Sequence, residues 1–338
     1  MALLYISTNA PPTQPVLLDQ QRLHDHGWRN DLHTALLVGG IGLIVFVSAA
    51  LLWSWLGALL CVVLVVVMAL LSPRVPPATL MRFYKAQRIG PHHGAQLLAL
   101  VNILAQRAGL RHQPALYVIP SATLNAFATG TRDNAVIALT EGLLRRLDLK
   151  ELAGVLAHEI SHIRNNDTMV MGIADSLTRF TQILSYIGMF LALVSLPAAL
   201  LGHKSFPVLA IVLLYSSPFL TSLLQAGLSR AREYDADLEA AILTGDPEGL
   251  ASALASLERY QGRFWEDLMV PIPARRIPYP SLLRSHPTTR ERIARLQDIA
   301  AATAPMQPIR YGDEFYLNLA GLHLASRAPR LHLFGFWY

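Results

Sequence analysis

The stretch "LAGVLAHEISHIRNND", residues 152–167, decides how this chain is read. Asp148 followed by Glu151 has the form of a capping box, so a helix opens there and carries His158, Glu159 and His162 in its middle, in the spacing H-E-x-x-H. Residues four apart on a helix share a face, with Cβ atoms about 5–6 Å apart, so both imidazoles can reach one ion at ~2.0–2.1 Å. That spacing and ligand type match zinc. Glu159, one residue around the helix, can reach a metal-bound water rather than the metal, which is the place of a general base. The motif arises by chance in about one chain in a hundred of this length, so alone it is suggestive, the alternative being a pair of exposed or hydrogen-bonded histidines on an amphipathic helix. The decision therefore falls on a third ligand.

A catalytic zinc takes three protein ligands and keeps one position open. The candidate segment is "LSRAREYDADLEAA", residues 228–241, where Glu233 and Asp237 again stand four apart. One carboxylate can bind metal while the other orients a ligand histidine, or both can belong to a solvated acidic face. Cysteine is no ligand type here, because the chain has only Cys61, in an apolar run, and nothing argues for a disulfide framework.

Composition points to a membrane. Of 338 residues, 53% are hydrophobic and only 15% charged, outside the usual range of a soluble domain. The formal charge of +5 lies beside the apolar runs rather than in an aromatic-interleaved basic stripe, which excludes a nucleic-acid partner. Residues 32–73 hold no Asp, Glu, Lys or Arg, a run about twice the ~30 Å hydrocarbon thickness, so two helices turning near "WSWLG" (53–57) are predicted. Two further charge-free runs, 180–203 and 205–229, are each long enough to span, with Pro197 and Pro218 as sites of a kink or shortening. With four spans, Arg22, Arg29, Arg74, Arg82, Lys85, Arg88, Arg179, Arg230 and Arg232 share one side, against Lys204 at a hairpin tip. The positive-inside rule makes that side cytoplasmic. The spans contain almost nothing ionisable, which counts against a transporter, and the late, long first run is not a signal peptide.

Between the hairpins, residues 92–109 read as a helix stopped by Gly109, followed by a small sheet from "ALYVI" (115–119), "LNAFAT" (124–129) and "AVIALT" (135–140). "VPIPARRIPYP", 270–280, reads as a proline-rich loop.

Four separated motifs, "NAFATG" (125–130), "HEISH" (158–162), "SRAREYDAD" (229–237) and "SHPTTRERI" (285–293), give the chain a resemblance to the HtpX branch of the M48 zinc metallopeptidases, kin of the CAAX prenyl proteases. The resemblance covers roughly residues 90–297 and leaves the N-terminal 33 residues and the tail, including "RLHLFGFWY", uncovered. It implies one zinc ion held by His158, His162 and Glu233, with Glu159 as catalytic base and Asp237 holding His158. His286 and Arg292 match the H-P-x-x-x-x-R element, whose histidine stabilises the oxyanion and whose arginine buttresses the site. Asn125 falls on the edge strand that pairs with an extended peptide substrate.

The combined expectation is an α+β membrane protein, mainly helical, with a zincin-like (gluzincin) catalytic domain, a small β-sheet and about four transmembrane helices. Its segments run 1–33 (cytoplasmic), 34–72 (hairpin), 74–179 (first catalytic part), 180–229 (second hairpin), 230–300 (second catalytic part) and 301–338 (tail). The expected activity is zinc-dependent endoproteolysis of unfolded or damaged membrane proteins at the cytoplasmic face of a bacterial inner membrane. Polypeptide substrates and the lipid bilayer are its partners. A prenyl-type processing protease is disfavoured, because four spans do not readily enclose a large chamber. An inactive zinc-stabilised scaffold has no need for Glu159.

Overall fold

The computed structural model describes residues 20–52, 54–70, 76–202, 206–268, 288–302 and 308–309. The expectations for His286, the 270–280 loop and the apolar tail lie outside the described residues.

Helix α1 (Gln20–Leu52) and α2 (Trp55–Leu70) pack on each other as a hairpin, α2 starting inside the stretch 53–57 expected as the turn. The short α3 (Pro77–Phe83) leads to a two-residue strand, β1 (Gln87–Arg88), which the sequence pattern does not announce. Helix α4 (Pro91–Arg107) ends just before Gly109, whose φ of +70° suits glycine beyond a helix end. Strands β2 (Ala115–Ile119), β3 (Ala126–Thr131) and β4 (Asn134–Thr140) follow the three expected runs. The sheet order is β1-β2-β4-β3, mixed, with β2 parallel to β4 and β3 antiparallel to it at one edge. Gly130, paired with Ala135 just before the β3 to β4 turn, has a φ of +96° that favours glycine, and a Cβ there would collide with the Asn134 carbonyl oxygen.

After α5 (Glu141–Arg146), helix α6 (Leu149–Arg164) carries H-E-x-x-H. Leu152, Leu156 and Ile160 on α6 are fully buried against Leu97 and Leu104 of α4 and Ile137 and Leu139 of β4. Each such side chain contributes about 1.5–3 kcal/mol by leaving water. Two long helices, α7 (Asp167–Leu200) and α8 (Val208–Thr244), pack on each other, and α9 (Pro247–Leu268) and α10 (Thr289–Ala302) close the domain against α6 and α8.

Helices α7 and α8 are long and apolar enough to cross a membrane, whereas the apolar parts of α1 (Val38–Leu52) and α2 (Trp55–Val67) are shorter. Large apolar side chains stand exposed along all four, among them Leu60, Phe190, Leu193, Leu200 and Val208. So much contiguous apolar surface is what lipid, not water, would cover. The hairpin of α7 and α8 is tied by Ser185 Oγ donating to the Tyr215 carbonyl (3.0 Å) and Thr178 Oγ1 to Gln225 Oε1 (2.8 Å). Such interhelical bonds contribute about 0.6 kcal/mol each in a bilayer. Pro197 and Pro218 sit inside α7 and α8 without ending them. Both helices run unbroken past residues 180 and 230, so the apolar hairpin and the site below share the same two rods.

Candidate active site

Position begins with the start of α6. Asp148 accepts the Glu151 amide at 2.8 Å, while Glu151 Oε2 accepts the Asp148 amide at 3.2 Å, the reciprocal pair anticipated from the sequence. Glu151 Oε1 also accepts the hydroxyls of Ser252 (2.6 Å) and Ser256 (3.1 Å) on α9. One turn on, Gly154 lets α9 approach closely, since a Cβ there would lie 2.8 Å from Leu250 Cα. The helix is thereby held before its chemistry begins.

Further along the same helix, His158 and His162 stand edge to face, ring centroids 4.7 Å apart, with their Nε2 atoms 3.2 Å apart. Glu233 enters from α8, its Oε2 3.5 Å from His158 Nε2. One ligand atom from each of His158, His162 and Glu233 lies within 4.8 Å of the others. Two donors bound tetrahedrally at ~2.05 Å would be about 3.3 Å apart, so the 3.2 and 3.5 Å separations fit the edges of a zinc tetrahedron. The donor set of two imidazoles and a carboxylate fits zinc equally well.

Around the three donors lies a ring of supporting charges. His158 Nδ1 is 3.1 Å from Asp237 Oδ1, at ion-pairing distance though off the line of an ideal N–H bond. Asp237 in turn accepts two bonds from Arg292 of α10, from Nε at 2.7 Å and Nη2 at 2.6 Å. Arg292 Nη1 lies 3.1 Å from Glu233 Oε2, so one guanidinium spans both acids of α8. On the other side, His162 Nδ1 is 2.8 Å from Asp167 Oδ2, and Arg232 Nη1 donates to Asp167 Oδ1 at 2.8 Å. Glu159 is 9% exposed, makes no hydrogen bond with a described residue, and feels Arg292 electrostatically. Its carboxylate is left available for a water.

Electrostatics follow the geometry. Burial alone pushes the His158 pKa down, but Asp237 and Glu233 outweigh it and hold it at about 10 in the metal-free site. Burial would raise the Asp237 pKa, yet Arg292 and His158 bring it below the usual carboxylate range. Arg292 is opposed by its own burial, and Asp237, Glu233 and Glu159 raise its pKa.

Of the residues singled out in the sequence, the fold brings His158, Glu159, His162, Glu233, Asp237 and Arg292 together. Asn125 immediately precedes the edge strand and is exposed, with its carbonyl accepting the Thr140 amide at 3.0 Å. Asp167 and Arg232 were not anticipated as parts of the site. The one signal available was the acid five residues after His162, where Asn166, between α6 and α7, takes a left-handed φ of +57°. Asparagine tolerates that conformation better than most residues.

The sequence matches the profile of peptidase family M48 over residues 91–300. A protease HtpX homolog of Acaryochloris marina is 41% identical over 225 residues, covering 63% of this chain and 75% of that relative. Another, from Desulfatibacillum aliphaticivorans, is 32% identical over 303 residues, covering 84% of this chain and 96% of its own. Among solved structures, S. mikatae Ste24p aligns with a TM-score of 0.48 and 22% identity, over 82% of this chain and 66% of that one. The match across the whole of the site, together with relatives similar over most of their length, means that this chain belongs to peptidase family M48.

Proposed function

We propose that the chain is a membrane-bound zinc endopeptidase in which His158, His162 and Glu233 hold the metal and Glu159 is the general base. The observation that carries this is the convergence of three ligand atoms from two helices within 4.8 Å of one another, beside the Glu159 carboxylate, which makes no hydrogen bond with a described residue. Bound zinc would polarise the scissile carbonyl and acidify a water at neutral pH. Glu159 takes the proton of the attacking water and returns it to the departing amide nitrogen. Arg292 keeps Asp237 against His158 and shields Glu233 from it electrostatically. His286 is assigned to oxyanion stabilisation by its motif alone.

Substrate binding is assigned to the open edge of β3 beginning at Asn125, where an extended peptide adds a strand through its backbone. Recognition of backbone rather than side chains suits broad cleavage of unfolded segments. We assign the α1 and α2 hairpin and the α7 and α8 hairpin to four spans, with residues 74–179 and 230–300 at the cytoplasmic face of a bacterial inner membrane. The continuity of α7 and α8 into the site supports that placement, since it leaves little distance between the bilayer and the ligands. Membrane proteins that have lost their fold are the substrates this position favours.

The test uses wild type and Glu159→Ala purified in detergent, with an unfolded reporter protein as substrate. Wild type should cut in a chelator-sensitive, zinc-restored manner, and the variant should bind zinc but cut at least about 10²-fold more slowly. A folded, zinc-loaded wild type that cuts nothing in detergent or in lipid would sink the reading.

A further inference from the structure

Asp167 closes the stretch of sequence on which this reading began, yet the mechanism above gives it nothing to do. It is the first residue of α7 and is 4% exposed. Its two oxygens face different partners, Oδ2 toward His162 Nδ1 and Oδ1 toward Arg232 Nη1, both at 2.8 Å. His162 turns its other nitrogen, Nε2, toward His158 Nε2. An imidazole that ligates through Nε2 keeps its proton on Nδ1, and the acceptor found there decides both tautomer and ring plane.

Arg232 gives the acceptor its own anchor. The guanidinium is 3% exposed, and its Nε and Nη2 meet no hydrogen-bond partner among the described residues. A buried guanidinium that donates to Asp167 Oδ1 at 2.8 Å restricts where that carboxylate can lie.

We infer that Asp167, held by Arg232, is the positioning residue that sets the orientation and the Nδ1-protonated tautomer of His162 for metal binding. The two histidines then have separate supports. His158 is set by Asp237 and Arg292, from α8 and α10, while His162 is set from the base of the hairpin, where α7 starts and Arg232 of α8 crosses it. The inference rests on the metal-site reading.

The experiment measures zinc affinity of the full chain in detergent by competition with a chromogenic chelator. Arg232→Met accompanies each change at Asp167, so that no guanidinium is stranded. Asp167→Ala with Arg232→Met should weaken zinc binding about 10- to 100-fold. Asp167→Asn with Arg232→Met returns a neutral acceptor oxygen and should bind within about threefold of wild type. Cobalt(II) in place of zinc gives a second readout: its visible bands should change in the alanine pair and return in the asparagine pair. Asp167→Val with Arg232→Met, which refills the lost volume, takes over if the alanine pair does not fold. Equal weakening in the acceptor-free and asparagine pairs, or none in either, would overturn the inference. A wild type that takes up no zinc would instead bring down the metal-site reading, and this inference with it.

Discussion

Arg292→Met is the most informative single change at the site. It removes three short contacts, two to Asp237 and one to Glu233, while keeping most of the apolar volume of the side chain. Asp237 and Glu233 are 3% and 8% exposed, so the loss strips a charge partner from two buried carboxylates that both still face His158. Removing one partner of a buried ion pair costs about 3–5 kcal/mol. For a domain of this size about 1 kcal/mol moves Tm by roughly 2–4 °C, so the metal-free variant should unfold roughly 6–20 °C below wild type. Asp237 loses the clamp that holds it against His158, and zinc affinity should fall about 10- to 100-fold. Arg292→Lys restores charge without the two-pronged geometry and should lie between the two. Differential scanning fluorimetry in excess chelator and chelator competition for zinc read these effects separately. A variant with unchanged Tm and zinc affinity but lower kcat would refute the argument, because Arg292 would then act on substrate rather than on Asp237.

Three further outcomes are expected. In the metal-free protein the His158 pKa is raised from 6.5 to about 10, so its contribution is complete below pH ~6.5 and disappears as pH rises through ~10. Stability in chelator should therefore fall between those limits, while the zinc-loaded protein, whose His158 ring is neutral, should lack that component; equal slopes with and without zinc would contradict it. Zinc uptake near pH 7.5 should also release about one proton from His158, visible as a dependence of calorimetric heat on the buffer used. In the hairpin, a Cβ at Gly188 would lie 2.8 Å from the Tyr215 nitrogen and 2.9 Å from Leu214 Cβ, whereas a Cβ at Gly172 would meet no described atom beyond its own helix backbone and chain neighbours within 4 Å. Gly188→Val should cost about 1–3 kcal/mol and increase cleavage of the hairpin by added protease, with Gly172→Ala close to wild type; indistinguishable variants would mean that α7 and α8 do not pack as described.

Much of the architecture was legible because its causes are local. The capping box at Asp148 and Glu151 involves two residues three apart, and the structure contains both of its bonds. Strands β2 to β4 coincide with short apolar runs bounded by proline, glycine and a turn, and Gly109 follows the end of α4. The pairs His158 with His162 and Glu233 with Asp237 share helix faces by spacing alone. Other features were less legible. Strand β1 is two residues long, too short for any periodicity, and exists because β2 offers it an edge. The charge-free run 32–73 predicts two spans, yet the apolar helices described within it are shorter than α7 and α8. Charge-free length measures composition, whereas a span is a property of the helix that forms.

What the sequence determined by itself was the chemistry available: which residues could ligate, which could act as base, and which segments water would not accept. Those properties reside in single side chains and in contacts a few residues apart. Only the tertiary structure decided how the site is assembled. That Arg292 grips Asp237 across 55 residues, and that Asp167 faces His162 and Arg232 at once, depends on how α6, α7, α8 and α10 pack. Such pairings are set by the shapes of buried faces and by the need of each buried charge for a partner. No spacing along the chain encodes them.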